Sequence, residues 1–354
     1  PRLNWTPDGE ELVVMRMNRW QNQLDVLYAN PYTGDSRIIF TEKNDKYISE
    51  EFLDAFTYLD DGRFVVTSER DGWSHLYLYD QAGFEQGRLT EGEFDVTAFY
   101  GYDDEEELFY YQAAAESPLR REVYYTSKNG EKKGKLSTLE GTNRADFSAN
   151  FGYYVNYYSS NNQPFLISVY ENKSQKRIRI FDKDEKHNQK LRVLQDNTFL
   201  QEKITNHGIP LKEFFTFTTS AGVELYGYMI KPADFDESKQ YPVVISQYSG
   251  PNSQKVTDSW DRIGWNHFLV QKGFLVVSVD PRGTTARGED FRKATYLQLG
   301  KYESEDMVET AKYLGSLPYV DAGNIGIFGW SYGGFMTLLS MEKGGELFKA
   351  GIAV

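Results

Sequence analysis

The amino-acid sequence predicts a β-propeller over residues 1–205, followed by an α/β domain over residues 206–354. Two observations predict this arrangement. The first part consists of short strand-like runs that repeat with a period typical of propeller blades, and the second part alternates strands with helices. A chain of 354 residues is long enough for two domains.

The composition favours a β-rich first part and excludes several classes of protein. Aromatic residues make up 16% of the chain, and they suit the pleated, half-buried surfaces of sheets. The net charge of −13 argues against nucleic acid as a partner, because proteins that bind it present basic surfaces. The absence of cysteine excludes disulfides, cysteine-based zinc sites and a cysteine nucleophile.

Turn-forming Gly, Asp and Asn residues interrupt the first part every few residues, which excludes long helices there. The runs between the turns alternate in polarity or are rich in aromatic residues, as strands are. The predicted strands are Leu12–Met17, Asp25–Ala29, Arg63–Ser68, His75–Tyr79, Glu107–Gln112, Glu122–Thr126, Tyr153–Tyr158, Pro164–Tyr170 and Arg177–Phe181.

A turn-like motif recurs among these strands. It reads Trp5-Thr-Pro-Asp-Gly9, then Tyr58-Leu-Asp-Asp-Gly62 53 residues later, and Tyr102-Asp-Asp-Glu-Glu106 44 residues after that. Repeats of this length with about four strands each are typical of β-propeller blades. We therefore expect about four blades, with a β-sandwich of accidental spacing as the alternative.

After Gly208 the pattern becomes that of a parallel sheet with helices. The predicted strands are Phe214–Thr218 and Leu225–Ile230, which form a hairpin, and the buried runs Tyr241–Tyr248, Phe274–Val279, Asn324–Phe328 and Phe348–Val354. The predicted helices are Ile263–Lys272, Ser304–Ser316 and Phe335–Ser340.

The sequence Gly329-Trp-Ser-Tyr-Gly333 lies between a buried strand and an apolar helix. In this context G-x-S-x-G predicts a nucleophile elbow, in which glycines on either side avoid Cβ clashes at a tight turn. The serine oxygen then lies above a helix N-terminus, whose free N–H groups favour an oxyanion. The second part is therefore predicted to be an α/β-hydrolase domain with Ser331 as its nucleophile. The alternative is a glycine-rich turn around an inert serine.

A serine nucleophile needs a histidine base that is held by a carboxylate, and in this fold both follow the serine in the chain. All four histidines precede Ser331 here. They are His75, His187, His207 and His267. Because Phe348–Val354 is typical of a buried strand, we expect a domain that is truncated after the elbow. The acid and the histidine are expected after Val354, and the fragment alone is expected to be inactive.

Several segments together resemble the prolyl oligopeptidase family of serine peptidases and, within it, the dipeptidyl peptidase IV branch. They are Gly329-Trp-Ser-Tyr-Gly-Gly334, Tyr248–Gln254, Asp280–Gly283 and Phe348–Val354 in the second part, with Asp71–Tyr77 in a blade and Leu191–Asn197 at the domain junction. The Trp-Ser-Tyr elbow distinguishes this branch, because other branches carry different residues beside the serine.

The resemblance implies an eight-bladed propeller on an α/β-hydrolase domain, of which this chain would hold the C-terminal four blades. It implies a serine exopeptidase that releases N-terminal dipeptides after a penultimate proline, or less well alanine, through an acyl-enzyme. Ser331 would be the nucleophile and the Tyr332 N–H one oxyanion donor, with the Tyr332 ring in the proline pocket. The hydroxyl of Tyr248 would be the second donor, and a phenol suits this role because it is neutral at pH 7.

One family feature is missing from the sequence. A pair of glutamates grips the substrate's amino group in this family, and we expect that pair before Pro1, because Asp103–Glu107 is typical of a turn instead. Dipeptide release therefore depends on the branch resemblance, and a prolyl tripeptidyl peptidase of the same family is the alternative. A propeller binding protein with an inert hydrolase-like domain and a general or lipase-like esterase are the other hypotheses.

Other prominent residues are interpreted as structural. His75 is expected to pack within a blade, Asp280 and Arg282 to form a turn, and Asp306 and Glu309 to lie on a helix. No metal or organic cofactor is predicted, because no His, Asp and Glu residues occur at ligand spacing. The expected partners are short peptides with a penultimate Pro or Ala and, in the full-length protein, a second copy. The family includes periplasmic, secreted and membrane-anchored members.

Overall fold

The structure is a computed structural model that describes residues 2–50, 52, 56–173, 176–177 and 193–354. The chain divides into two compact units. One unit comprises Pro1–Asn156 and Val169–Arg192, and the other comprises Tyr157–Ser168 and Val193–Val354.

Four small antiparallel sheets form the first part of the described chain, and consecutive strands are neighbours in each. The first contains β1 (Arg2–Trp5), β2 (Leu12–Met17), β3 (Gln23–Ala29) and β4 (Ser36–Lys43). The second contains β5 (Thr57–Tyr58), β6 (Phe64–Ser68), β7 (His75–Tyr79) and β8 (Glu85–Arg88). The third contains β9 (Val96–Asp103), β10 (Leu108–Ala113), β11 (Glu122–Ser127) and β12 (Lys133–Lys135). The fourth contains β13 (Thr142–Phe147), β14 (Tyr153–Ser160), β15 (Gln163–Glu171) and β16 (Lys176–Arg177), and β17 (Val193–Gln195) also pairs with β15.

These four sheets have the strand order of propeller blades, which confirms the predicted fold of the first part. Eight of the nine strands predicted there match observed strands within two residues at each end. Of the ninth, Arg177–Phe181, only Arg177 is described, and the rest lies outside the described residues.

The recurring motif forms the turn between the first and second strands of a blade. Gly9 and Gly62 occupy equivalent places, with φ angles of 74° and 85° that only glycine adopts without strain. Each donates its N–H to the carbonyl three residues earlier, on Thr6 at 2.8 Å and on Leu59 at 3.0 Å. The predicted turn at Asp103–Glu107 is also observed, between β9 and β10.

Aromatic rings form much of the core of these blades. The rings of Phe64 and Tyr79 from the second sheet are parallel, with centroids 5.3 Å apart, and Phe40 from the first sheet stacks on Tyr79 at 5.0 Å. Tyr154 and Tyr170 stack in the fourth sheet at 5.1 Å. Stacked rings bury a large apolar area on a pleated surface, and this explains the aromatic content of the sequence.

A six-stranded sheet is the centre of the second unit. Its strands are β18 (Lys212–Thr218), β19 (Glu224–Ile230), β20 (Tyr241–Ser246), β21 (Leu275–Asp280), β22 (Val320–Gly329) and β23 (Ala350–Ala353). Their order across the sheet is β18-β19-β21-β20-β22-β23. The first two strands form the predicted antiparallel hairpin, and the last four run parallel to one another.

Helix α1 (Thr198–Asn206) precedes β18. The helices that connect the parallel strands are α2 (Trp265–Gln271), α3 (Gly288–Arg292), α4 (Lys301–Gly315) and α5 (Tyr332–Gly344). Strand β21 is buried along its whole length, as expected of a strand that is covered on both faces. Within the described residues, no helix is both long enough and apolar enough to cross a lipid bilayer.

Helix α4 begins three residues before the predicted start at Ser304. Gly300 precedes it with a φ of 85°, and the buried carboxylate of Glu303 accepts the Gly300 N–H at 3.0 Å. A side chain that returns to cap its own helix satisfies an otherwise orphan donor, so the helix extends to Lys301.

Candidate active site

Ser331 occupies a strained turn between β22 and α5. Its φ and ψ angles are 58° and −120°, a combination that costs a residue with a Cβ atom about 1–3 kcal/mol. Its side chain is exposed, and its backbone N–H donates to Val354 O at 2.7 Å. Strain of this kind is maintained by the surrounding structure, and it raises the serine hydroxyl above the end of the sheet.

The glycines around the serine permit the close approach of two backbone segments. A Cβ atom on Gly329 would lie 2.2 Å from the carbonyl oxygen of Gly333, and one on Gly333 would lie 2.7 Å from the carbonyl oxygen of Gln247. Neither glycine has a positive φ, so the requirement here is for space. The spacing G-x-S-x-G therefore has the steric cause that the sequence predicted.

The N-terminus of α5 presents a free donor beside Ser331. The N–H groups of Gly334 and Phe335 donate to the Ser331 carbonyl at 2.9 and 3.2 Å, and the Gly333 N–H donates to Trp330 O at 2.8 Å. In the described part of the chain, the Tyr332 N–H has no acceptor. A free N–H at the positive end of a helix favours a developing negative charge.

Tyr248 follows strand β20 and lies beside Tyr332. The two ring centroids are 6.3 Å apart, and the ring planes meet at 53°. The hydroxyl of Tyr248 makes no hydrogen bond to any described residue. The structure therefore brings together the three residues that the sequence analysis selected: Ser331, Tyr332 and Tyr248.

The loop that carries Tyr248 has an unusual backbone. Ser249 and Asn252 have φ angles of 61° and 60°, which residues other than glycine rarely adopt. A Cβ atom on Gly250 would lie 2.5 Å from the Tyr248 ring. The ring and the backbone are thus packed closely, and this restricts the positions that the hydroxyl can take.

Two buried polar side chains beside this group were not found by sequence reasoning. Glu303 on α4 accepts the Tyr332 hydroxyl at 2.6 Å, and Gln247, directly after β20, donates to the Gly333 carbonyl at 2.7 Å. The capping role of Glu303 leaves a weak sequence signal, an acidic residue in the first turn of a helix. Gln247 leaves none, because its contacts are distant in sequence.

No histidine pairs with Ser331 in the part of the chain that the structure describes. His75 is buried in a blade, where its ring nitrogens lie 3.0 Å from Thr90 Oγ1 and 3.0 Å from Gly92 O. Burial lowers the pKa of His75, in keeping with a packed, neutral ring. His187 lies outside the described residues. The histidine base that the sequence analysis expects for Ser331 is therefore not seen beside it among the described side chains.

The contacts of the other prominent polar residues support a structural role. Asp280 accepts the N–H groups of Lys255 and Val256 at 2.9 and 2.8 Å and so holds the loop after Tyr248. Asp306 accepts a bidentate hydrogen bond from Arg282, from Nε to one carboxylate oxygen and from Nη2 to the other. The Glu309 carboxylate accepts the Ser220 N–H at 2.8 Å. In the described residues, no group of three or more His, Asp or Glu side chains could hold a metal ion.

A strained serine between a strand and a helix, on a mainly parallel sheet, defines an α/β-hydrolase domain, here joined to propeller blades. Two family models match the chain: the dipeptidyl peptidase IV N-terminal region over residues 1–165 and the prolyl oligopeptidase family over residues 261–354. The chain belongs to the prolyl oligopeptidase family, in its dipeptidyl peptidase IV branch, as the motifs indicated.

Relatives in bacteria and fungi match nearly the whole chain. The crystal structure of Porphyromonas gingivalis dipeptidyl peptidase 4 superposes with a TM-score of 0.92 at 44% identity, and the match covers 100% of this chain and 48% of that one. Dipeptidyl peptidase 4 from Trichophyton tonsurans is 29% identical over 99% of this chain and 44% of its own length. The probable dipeptidyl peptidase 4 of Emericella nidulans is 30% identical over 98% and 45%. The chain thus spans about half the length of these relatives.

Proposed function

We propose that the whole protein is a serine exopeptidase that releases N-terminal dipeptides of the type Xaa-Pro, and less well Xaa-Ala. The observation that carries this proposal is the strained Ser331 beside two donors without partners, the Tyr332 N–H and the Tyr248 hydroxyl. The relatives named dipeptidyl peptidase 4 support the release of dipeptides from a peptide substrate.

The proposed reaction begins with attack of the Ser331 hydroxyl on the carbonyl carbon of the penultimate proline, in the peptide bond that follows this residue. The Ser331 proton passes to a histidine elsewhere in the whole protein, and that histidine returns it to the leaving amine. The carbonyl oxygen becomes an oxyanion, which accepts hydrogen bonds from the Tyr332 N–H and the Tyr248 hydroxyl. Water then attacks the acyl carbonyl and gives a proton to the same histidine. The bond between the acyl group and Ser331 breaks, the proton passes to the Ser331 oxygen, and the dipeptide leaves as the acid.

The preference for proline would come from the ring of Tyr332. Its hydroxyl is bound to Glu303, so the ring is held at a fixed angle beside Ser331. A flat aromatic wall packs well against a pyrrolidine ring and less well against a single methyl group. The Tyr332 ring would therefore also accept alanine, but its contact with the alanine methyl group would contribute less binding free energy than its contact with proline.

The decisive experiment is hydrolysis of an Ala-Pro p-nitroanilide by the whole protein and its Ser331→Ala variant. We expect Ser331→Ala to remove turnover, because the acyl-enzyme cannot form. Ser238→Ala, which changes an exposed serine of another loop, is the matched control and should keep full activity. Turnover that survives Ser331→Ala would overturn the proposal.

Two further substrates separate this proposal from its alternatives. A tripeptidyl peptidase would prefer Ala-Ala-Pro p-nitroanilide to Ala-Pro p-nitroanilide, and an esterase would hydrolyse p-nitrophenyl esters while it leaves both anilides intact.

A third experiment tests the exopeptidase itself. Blocking the amino group of Ala-Pro p-nitroanilide should stop release of the dipeptide. Equal rates with blocked and free substrates would exclude an exopeptidase.

On family resemblance, we also propose that the whole protein works outside the cytoplasm, in a periplasmic, secreted or membrane-anchored form, and assembles as a homodimer. Cell fractionation with an antibody tests the location, and light scattering of the purified whole protein tests the dimer. Recovery of the protein from the cytoplasm, or a monomeric mass, would contradict the respective statement.

A further inference from the structure

Gln247 connects three segments of the candidate active site. Its carboxamide nitrogen donates to the Gly333 carbonyl at 2.7 Å and to Thr337 Oγ1 at 3.1 Å, both on helix α5. Its carboxamide oxygen accepts the Ser249 hydroxyl at 2.9 Å. The residue itself directly follows β20, the strand from which the Tyr248 loop departs. One side chain thus joins the strand, the loop and the helix that follows Ser331.

This side chain is almost completely buried, with 2% of its surface exposed. A buried carboxamide is unfavourable unless its donors and acceptor are paired, and both N–H groups and the oxygen of Gln247 have partners. A methionine of similar length would fill the same space without these contacts. Packing alone would not require a carboxamide at this position. The polar group of Gln247 is therefore explained by the segments that its hydrogen bonds connect.

The partner of the carboxamide oxygen is a strained residue. Ser249 has a φ of 61° and directly follows Tyr248 in the chain. Its hydroxyl is tied to Gln247, so the hydrogen bond favours the backbone conformation from which the Tyr248 ring projects. The other end of the same carboxamide is fixed to the first turn of α5, whose N-terminus carries Tyr332.

We propose that Gln247 is a positioning residue, which sets the hydroxyl of Tyr248 at the distance from Ser331 that the oxyanion requires. This inference rests on the proposed function, because it gives Gln247 a role only through Tyr248. Gln247 touches neither substrate nor reacting atoms. Its effect should therefore appear in the rate of the chemical step and depend on the presence of the Tyr248 hydroxyl.

A double-mutant cycle in the whole protein tests this inference with the variants Gln247→Met, Tyr248→Phe and Gln247→Met/Tyr248→Phe. For Ala-Pro p-nitroanilide we expect Tyr248→Phe to lower kcat by about 100- to 1,000-fold, as for other oxyanion donors. Gln247→Met should lower kcat by about 10- to 100-fold with little change in KM, because a donor displaced by about 1 Å loses most of its effect. The double variant should match Tyr248→Phe within about twofold.

Ile245→Val is the matched control for stability. Ile245 is buried on β20, two residues before Gln247, so losing one methylene group weakens the core without touching the loop. It should leave kcat unchanged. If Gln247→Met does not fold, Ser249→Ala replaces it in the cycle, because it removes the hydroxyl that the carboxamide oxygen accepts.

Each outcome of the cycle has one meaning. If the losses in kcat from Gln247→Met and Tyr248→Phe multiply in the double variant, the positioning role is overturned. An unchanged kcat in Gln247→Met would also overturn it. In both cases the proposed function stands. A wild-type protein that does not hydrolyse the substrate would overturn both. An unchanged rate in Tyr248→Phe would overturn the role of Gln247 and leave Ser331 as the nucleophile.

Discussion

The phenolic hydroxyl of Tyr332 donates a hydrogen bond to the carboxylate of Glu303, with 2.6 Å between the two oxygens. Glu303 is fully buried, and its other oxygen accepts the Gly300 N–H at 3.0 Å. Burial and the adjacent carboxylate raise the pKa of Tyr332, so the phenol remains protonated and continues to donate at any physiological pH. One buried anion thus caps helix α4 and anchors the residue that follows Ser331.

We expect Tyr332→Phe to lower the free energy of unfolding by about 1–3 kcal/mol, because the buried carboxylate loses one of its donors. Urea unfolding measures this change. Tyr32→Phe is the control, since Tyr32 is 92% exposed and its hydroxyl should contribute nothing. If the two variants are equally stable, the bond to Glu303 does not stabilise the fold.

The elbow glycines lead to a second prediction. Gly333→Ala would bring a methyl group within 2.7 Å of the Gln247 carbonyl oxygen, and we expect it to destabilise the protein by about 1–3 kcal/mol. Gly326→Ala is the matched control on strand β22, because its nearest neighbour would lie 3.5 Å away, an ordinary contact. Thermal unfolding of both variants checks the difference. A Gly333→Ala protein as stable as Gly326→Ala would contradict the steric account of the motif.

The sequence predicted the two middle strands of every blade and missed most of the strands at the sheet edges, for a physical reason. Strands β4, β8 and β12 lie at sheet edges and are largely exposed, so neither face carries the apolar alternation that identifies a strand. Strand β9 was missed because its pairing with β10 shifts register at two places and Gly101 interrupts its pattern.

The candidate site was predicted in part, and the division follows sequence separation. Ser331 and Tyr332 lie within one motif, and Tyr248 directly follows a buried strand, so local patterns and the family resemblance were enough to select them. Gln247 and Glu303 act through partners 86 and 29 residues away. Their neighbours are set only when the strands and helices pack, and no local pattern could have identified them.

The ion pair between Arg282 and Asp306 leads to a third prediction. Three hydrogen bonds from the Arg282 guanidinium and one from its backbone N–H reach the Asp306 carboxylate, which is fully buried. Burial raises the pKa of Asp306, and Arg282 opposes that rise. We expect Arg282→Leu to destabilise the protein by about 3–5 kcal/mol, because it leaves a buried charge without its partner.

The control for this pair is Arg144→Leu, which breaks an ion pair with Asp146 in which both side chains are more than half exposed. Such pairs are worth less than about 1 kcal/mol. The double variant Arg282→Leu/Asp306→Leu should recover part of the stability, since the charge is removed together with its partner. A double variant less stable than Arg282→Leu would show that the loss has another source.

The last prediction concerns Glu122, the first residue of β11. Its side chain is almost fully buried, and neither carboxylate oxygen has a hydrogen-bond partner among the described residues. Burial raises its pKa to about 7, Glu116 adds to the rise, and Lys135, Arg120 and Arg121 oppose it. The folded protein therefore holds this proton over a pH range in which the unfolded chain has released it.

A folded-state pKa above the unfolded value means that the stability contributed by protonated Glu122 is present below about pH 4.5 and is lost as the pH rises to about 7. A shift of this size corresponds to about 3 kcal/mol. Glu122→Gln keeps the shape without the charge, so the variant should gain stability over the wild type as the pH rises from 5 to 8. Urea unfolding at each pH measures the difference.

The comparison with wild type at each pH is needed because His75 acts in the opposite direction. Burial lowers the pKa of His75, so its contribution to stability increases as the pH rises towards its unfolded pKa of about 6.5. This contribution is the same in Glu122→Gln and in the wild type, and it cancels in their difference.

Glu131→Gln, which changes an exposed glutamate in the turn after β11, is the control and should follow the wild type at every pH. A difference between Glu122→Gln and wild type that stays constant from pH 5 to pH 8 would mean that Glu122 has an ordinary pKa in the folded protein.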